Sequence, residues 1–304
     1  MYSQAKGKYM AAPTAPFPIQ QACSPAYLLT EADDQYEVMQ FLAQRLPHTV
    51  VMSGLIRDNG LVSSANRGSF HGCRDETGEL TGVALIGHAT FVDTRADAAL
   101  AAFAEIAQRS PAIHMILGEE KQINRFWSYF SIAKRPCRLR LTELLFELTA
   151  ASGSTSVPSA LRLATLADLD LIVPIHAQLA FDESGVDPRE KDARGFIERC
   201  AQRIRRGRVW VWREGQTLIF KADVASALAE STYIEGAYID PQMRGQGLGR
   251  RCLTDLGNIL LQHTQALHVL VNERNDAAQA LLSGAGYRLR DRYETIFLQH
   301  EETV

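Results

Sequence analysis

The stretch YIDPQMRGQGLGRR, residues 238–251, sets Gly245, Gly247 and Gly249 at alternate positions between flanking arginines. A strand-like run, TYIEGAYID (232–240), precedes it, and RRCLTDLGNILLQHT (250–264) follows with the spacing of a helix. A helix that opens directly after a strand leaves its first N–H groups without partners. Those groups and the helix dipole together favour an anion. Glycine lets the backbone curl around such a guest, because no Cβ intervenes. A diphosphate is the natural occupant. Two familiar phosphate motifs do not fit: a P-loop needs Lys-Ser or Lys-Thr after its last glycine, and a dinucleotide fingerprint needs G-x-G-x-x-G, whereas this stretch runs G-x-G-x-G into Arg250. A plain glycine-rich turn is the other reading, but Arg244-x-x-Gly247-x-Gly249 between a strand and a helix is more specific than that.

Working outward, the second half alternates strand and helix patterns. ALRLAT (160–165) reads as a strand and LADLDLIVPIHAQLAF (166–181) as a helix despite Pro174, with a second helix over 189–206. RVWVWREG and TLIFKADVAS form a predicted hairpin turned at Glu214-Gly215. After the glycine stretch come a strand at 266–272, a short helix from Asn275, and terminal strand material at 287–298. Hairpins mixed with strand–helix–strand units predict an α/β (α+β) chain with a mixed, mostly antiparallel sheet flanked by helices. The first half is a fainter copy. DDQYEVMQFLAQRL (33–46) looks helical, GVALIGHATFVDT (82–94) looks like one strand, and RADAALAAFAEIAQRS (95–110) is a strong helix pattern. AIHMILGEE (112–120) can be laid on ALHVLVNER (266–274), and RLRLTELLFEL (138–148) on RLRDRYETIFL (288–298). The expected organisation is a mobile leader (1–26), a first domain (27–150), a linker (151–159) and a second domain of the same type (160–304), a tandem repeat.

The 304 residues suggest about two domains, and a net charge of −3 gives no reason to expect a nucleic-acid partner. No apolar run is long enough to span a bilayer, so no membrane partner is expected. Cys23, Cys73, Cys137, Cys200 and Cys252 are scattered, which points to reduced thiols in a cytoplasmic protein and to no metal site.

Arg244-Gly245-Gln246-Gly247-Leu248-Gly249 resembles the R-x-x-G-x-G/A motif of the GNAT superfamily of acyl-CoA-dependent N-acetyltransferases, and Ile239-Asp240-Pro241 resembles its lead-in. Asn275, Ala278, Gly286 and Tyr287 fall on that family's second segment, so the likeness covers roughly 160–300. The whole chain also resembles two-domain proteins with a degenerate GNAT-like N-terminal half, which often carry an acidic loop like Glu183-Ser184-Gly185-Val186-Asp187-Pro188. The resemblance implies two tandem GNAT-like domains and transfer of an acetyl group from acetyl-CoA to an amine in a ternary complex. Backbone amides of Arg244, Gly245, Gln246, Gly247, Leu248, Gly249 and Arg250 would hold the coenzyme diphosphate. The pantetheine arm would run between 232–240 and 266–272, where Asn272 and Asn275 could bond its amides. For Asn275 a plain helix N-cap is the competing reading. A backbone N–H within Ala237, Tyr238 and Ile239 would steady the oxyanion.

Glu235, two residues before Ala237 and on the same strand face, is the candidate general base. A surface or salt-bridged carboxylate is its alternative. Lys221, Asp223 and the loop carboxylates Asp182, Glu183 and Asp187 are candidates for the acceptor side. His176 reads as a packed histidine. The family's usual acid is a tyrosine, but its place holds Leu282, so Tyr287 or Tyr293 would have to substitute. Leu282 keeps alive a second reading, a catalytically weak or inactive acyl-CoA-binding sensor. In the first half, VDTRADAALAA (92–102) has no glycine at the equivalent join, so that half is not expected to bind coenzyme A in the usual way. Its aromatic run at 126–130 is either core or a face packed on the second half. The amine acceptor and the oligomeric state stay open.

Overall fold

β3 (Leu80–Gly87) is buried along its whole length, the signature of a strand covered on both sides. It belongs to a sheet of twelve strands that runs through both halves of the chain. A computed structural model describes residues 25–30, 35–131, 135–150 and 160–299; the expected leader lies almost wholly outside these, and the linker 151–159 wholly so. In the first half, β1 (Tyr27–Leu28), α1 (Gln35–Ala43) and α2 (Leu46–Asn59) lead into β2 (Gly68–Arg74), β3 and β4 (Ala89–Thr94), followed by α3 (Asp97–Arg109), β5 (Met115–Glu119), α4 (Glu120–Phe130) and β6 (Cys137–Leu148). The second half repeats the order with β7 (Arg162–Leu163), α5 (Leu169–Ser184), α6 (Pro188–Arg205), β8 (Val209–Glu214), β9 (Thr217–Ala227), β10 (Thr232–Ile239), α7 (Leu248–Leu260), β11 (Leu267–Asn272), α8 (Asp276–Gly284) and β12 (Arg288–Leu298). The single strand expected over 82–94 is the β3–β4 hairpin. It breaks at Gly87, where an added Cβ would lie 2.2 Å from the Arg67 carbonyl oxygen.

The strand order is β1-β2-β3-β4-β5-β12-β6-β11-β10-β9-β8-β7. Only β4–β5 and β10–β11 are parallel. The two last strands are exchanged: β6, from the first half, pairs with β11, and β12, from the second, pairs with β5. The segments that match in sequence, 138–148 and 288–298, pair with each other about their midpoints, where Glu143 faces Tyr293. A pseudo-twofold axis therefore passes through the sheet at that pair, and the two expected sheets are one.

Alternation sorts the helices. Leu144, Phe146, Val269, Val271 and Tyr287 pack with α7 and α8 on one face, where Ala84, Ile86, Ile116 and Ile296 also meet α3 and α4. Phe126 and Phe130 of the aromatic run are core residues of that second cluster. The opposite face carries α1 and α2 over Phe70, Val83 and Leu85, and α5 and α6 over Val209, Val211 and Leu218. There α2 crosses onto β9 of the second half. A Cβ on Gly54 would meet Ser226 Oγ at 2.0 Å, the Ser226 hydroxyl donates to the Val50 carbonyl at 2.7 Å, and Arg208 pairs with Asp58 at 2.8 Å. Cys73 is disulfide-bonded, which corrects the expectation of five reduced thiols; pairing depends on Cα distance and orientation, which spacing along the chain does not reveal. Cys137, Cys200 and Cys252 are free.

Candidate active site

β10 and β11 pair only from Thr232↔Leu267 to Ile234↔Val269. Beyond that point they part. β10 stays bonded to β9 and β11 to β6, so a slot opens between Glu235–Ile239 and Leu270–Asn272. A bulge drives the parting. Glu235 pairs with Asp223 and Tyr238 with Lys221, which leaves Gly236 and Ala237 together opposite Ala222. Gly236 has φ 59°, and a Cβ there would lie 3.1 Å from both Asp223 Oδ2 and Lys221 Nζ.

At the outer end of β10 the chain enters α7. Asp240 caps the turn by accepting from the Gln242 amide at 2.8 Å, and Arg244 Nε donates to the Ile239 carbonyl at 3.2 Å. Gly245 and Gly247 take φ 77° and 75°, and no atom lies within 4 Å of a Cβ built on either. Gly247 is the N-cap of α7, and no side chain caps the helix. The N–H groups of Leu248, Gly249 and Arg250 therefore have no partner within the helix, and no described side chain takes them. Gly249 serves packing instead: a Cβ there would sit 2.0 Å from Ile239 Cδ1. The loop is thus a ring of bare amides opening to solvent, which suits a diphosphate. Asn272 and Asn275 flank the other lip. The Asn272 side-chain oxygen accepts from the Arg274 amide at 2.9 Å, and that of Asn275 caps α8 by accepting from the Ala278 amide at 3.0 Å. The plain cap is what the structure displays for Asn275, leaving only its side-chain N–H groups to a ligand.

On the α2–α5 face the slot meets a cavity of about 140 Å³. Glu235 and Leu270, the first residues past the parting point of each strand, line it, so the cavity adjoins the slot. Glu143, Glu183, Tyr233 and Tyr293 line it too, and the first half contributes His48, Val51, Phe91 and Leu117. Burial and the like charges of Glu143 and Glu235 push Glu183 up to about 7. Burial, with Glu294 nearby, also raises Glu143, against the opposing bond from the Thr295 hydroxyl. Glu235 is held by Arg203 at 2.5 Å. The Tyr293 hydroxyl bonds His48 Nδ1 at 2.9 Å, and burial pushes that phenol far above its usual range.

Several expected site residues stand elsewhere. Tyr287 is 3% exposed in the packing of α7 and α8, and its hydroxyl has no described partner; it does not line the cavity. Leu282 is buried in the same cluster. Lys221 and Asp223, 0% and 1% exposed, do not line this cavity. They pair with each other at 2.6 Å, and Lys221 reaches the Gly236 carbonyl at 3.3 Å, so they brace the bulge from beneath. Burial opposes the Asp223 charge, but Lys221, His176 and Arg203 outweigh it and hold that carboxyl well below the usual range. His176 packs on Phe196 with Nδ1 3.1 Å from Asp223, as a packed histidine should. Of the loop carboxylates only Glu183 reaches the cavity: Asp182 accepts from Gln178, and Asp187 caps α6. The cavity's first-half wall, Glu143 and Arg203 carried no sequence signal, because nothing local marks residues that meet across a pseudo-twofold axis.

The first half holds a vestige of the same slot. β4 and β5 pair only at Ala89↔Met115 and Thr90↔Ile116 before separating. Arg45 spans the gap, bonding Asp93 of β4 at 2.7 Å and Glu119 of β5. At the start of α3, Asp97 is held by Arg125 and Tyr129, which puts a carboxylate where the second half offers bare amides.

Among solved structures, a Drosophila melanogaster protein superposes with a TM-score of 0.65 at 11% identity, over 91% of this chain and 99% of its own. A tandem GNAT protein from the clavulanic acid biosynthesis pathway gives 0.56 at 14% identity, over 93% and 100%. A GNAT-family acetyltransferase from Colwellia psychrerythraea gives 0.53 at 12%, over 90% and 99%. The chain has the GNAT fold, in tandem. Within it, residues 222–296 match the family model described as FR47-like protein, and that span holds both strands of the open slot and the glycine loop. No curated protein matches the chain. The GNAT fold thus covers both halves, while the family-model match falls only on the half that keeps the bare loop. Among the described residues, no helix is long and apolar enough to cross a membrane, and no group of three or more His, Cys, Asp or Glu is placed to hold a metal ion.

Proposed function

We propose that the chain is an N-acetyltransferase that carries an acetyl group from acetyl-CoA to an amine by direct attack. What supports this most is the parting of β10 from β11 in front of an uncapped helix start, with the amides of Leu248, Gly249 and Arg250 unpartnered and open space around Gly245 and Gly247. In this reading those amides hold the diphosphate, Asn272 and Asn275 offer side-chain N–H groups to the pantetheine, and the bulge at Gly236 turns an N–H of Ala237–Ile239 toward the thioester oxygen. The amine waits in the cavity on the opposite face, which Tyr233 and Tyr293 both line. Arg203 commits Glu235 to an ion pair, which makes it a charge anchor more than a base. The first half walls the cavity and, with Arg45 across its own slot, takes no coenzyme.

Calorimetry with acetyl-CoA tests the slot. The wild type should bind one equivalent, and Gly247→Asp, which puts a carboxylate beside the diphosphate, should abolish binding. Thiol release in the presence of amines tests transfer. Binding without release across the panel would turn the reading to a coenzyme-binding sensor.

A further inference from the structure

The cavity has two characters. Its walls are apolar, with Val51, Phe91 and Leu117 from the first half facing Leu270 from the second. Its polar rim is a set of carboxylates with one cation among them: Arg203 satisfies Glu235, while Glu183 makes no described ion pair and Glu143 takes only the Thr295 hydroxyl. The Tyr233 hydroxyl, crowded by protein, also borders the cavity without a described hydrogen-bond partner. Two carboxylates closing over an apolar chamber lack a positive charge that the protein does not supply. A volume of about 140 Å³ admits little more than one ring or a short chain, since a cavity of about 150 Å³ takes a benzene molecule.

We propose that the acceptor is a compact amine with an apolar body, held as its ammonium by Glu143 and Glu183 between the two halves of the chain, and that Glu183 takes the proton it releases. This rests on the acyl-transfer reading of the slot and narrows it. A zwitterionic amino acid would bring a carboxylate against the two glutamates. An aminosugar would press hydroxyls on apolar walls and overfill the space. The groups facing Glu183 are Glu143 on β6, Glu235 and Tyr233 on β10, Tyr293 on β12 and His48 on α2, with Arg203 of α6 behind Glu235. Burial first, and then the like charges of Glu143 and Glu235, raises Glu183 to about 7, where a carboxylate exchanges protons readily at neutral pH. In the step, the ammonium passes one proton to Glu183 and its freed lone pair attacks the thioester carbonyl. The C–N bond forms and the C–S bond breaks. The coenzyme leaves as thiolate and is protonated, the second amine proton is lost to solvent, and the products are the amide and the free thiol.

The test uses the full chain, with acetyl-CoA affinity measured by calorimetry alongside every kinetic run. Phenethylamine and hexylamine are compared with phenylalanine and with kanamycin by thiol release. The two compact amines should show kcat/KM at least about tenfold above the others. Glu183→Gln should lower kcat roughly a hundredfold and remove the rise of kcat/KM with pH. Glu143→Gln, which keeps the bond to Thr295, should raise the amine KM about tenfold. Ala225→Leu fills the cavity without touching a charge and should shut out phenethylamine. All three variants should bind acetyl-CoA as the wild type does. Loss of acetyl-CoA binding by the wild type overturns the slot reading itself. Normal binding with phenylalanine or kanamycin preferred, with no turnover of the compact amines, or with Glu183→Gln fully active, overturns this proposal alone.

Discussion

Gly236 joins the fold to the chemistry in one residue. Its φ of 59° makes the bulge that splits β10 from β11, and its missing Cβ leaves room for the Lys221–Asp223 pair, each partner lying 3.1 Å from where that Cβ would sit. Gly236→Val should cost about 1–3 kcal/mol in backbone strain, read by urea unfolding, and should lower kcat more than acetyl-CoA affinity. The pair beneath is a second case. Asp223→Ala strands a fully buried ammonium and should destabilise by about 3–5 kcal/mol, whereas Lys221→Met with Asp223→Leu should cost much less, a difference that a double-mutant cycle measures. Glu183 sets a pH dependence. Its carboxyl loses its proton near its ordinary value when unfolded but only near 7 when folded. The folded state therefore holds the extra proton between those values, and stability should fall as pH rises from about 4.5 through about 7, as thermal melts in the absence of amine will record. Alternation puts Lys221, Asp223 and Glu235 on one face of their strands, but which of them lines the cavity depends on α5 and α6 covering the first two. Burial by a distant element has no local signature.

At the scale of the element, α2 of the first half packs across onto β9 of the second. Gly54 sits against Ser226, so Gly54→Val must lift the helix. It should cost about 1–3 kcal/mol by overpacking and raise the KM for the amine, since α2 carries His48 and Val51 into the cavity, while calorimetric acetyl-CoA affinity stays unchanged. The glycine loop and its helix were legible because everything they need lies in one unbroken stretch, residues 232–260: a strand, turn glycines and an amphipathic run. The α2 wall was not. Helix periodicity says that a face is apolar, never what it will touch.

Across the whole molecule, the exchange of β6 and β12 ties the halves together. Residues 160–304 alone would leave β11 and β12 without the strand that bridges them. That fragment should be aggregated or unfolded by size exclusion and circular dichroism, and co-expression with residues 25–150 should restore a soluble complex. The internal repeat in the sequence foresaw two copies of one unit. It could not foresee their merging, because a strand's pattern records its faces and leaves its neighbour unspecified.

β12 lies at the centre of the sheet, yet in chain order it follows the other eleven strands. Until it emerges, β5 and β6 each present an open edge, so a nascent chain that already holds the other eleven strands still has a gap in its middle. The sheet closes only once β12 has been made, in a single late step that joins strands from both halves. A chaperone that shields those two edges during translation should therefore raise the yield of this protein more than one acting on the released chain.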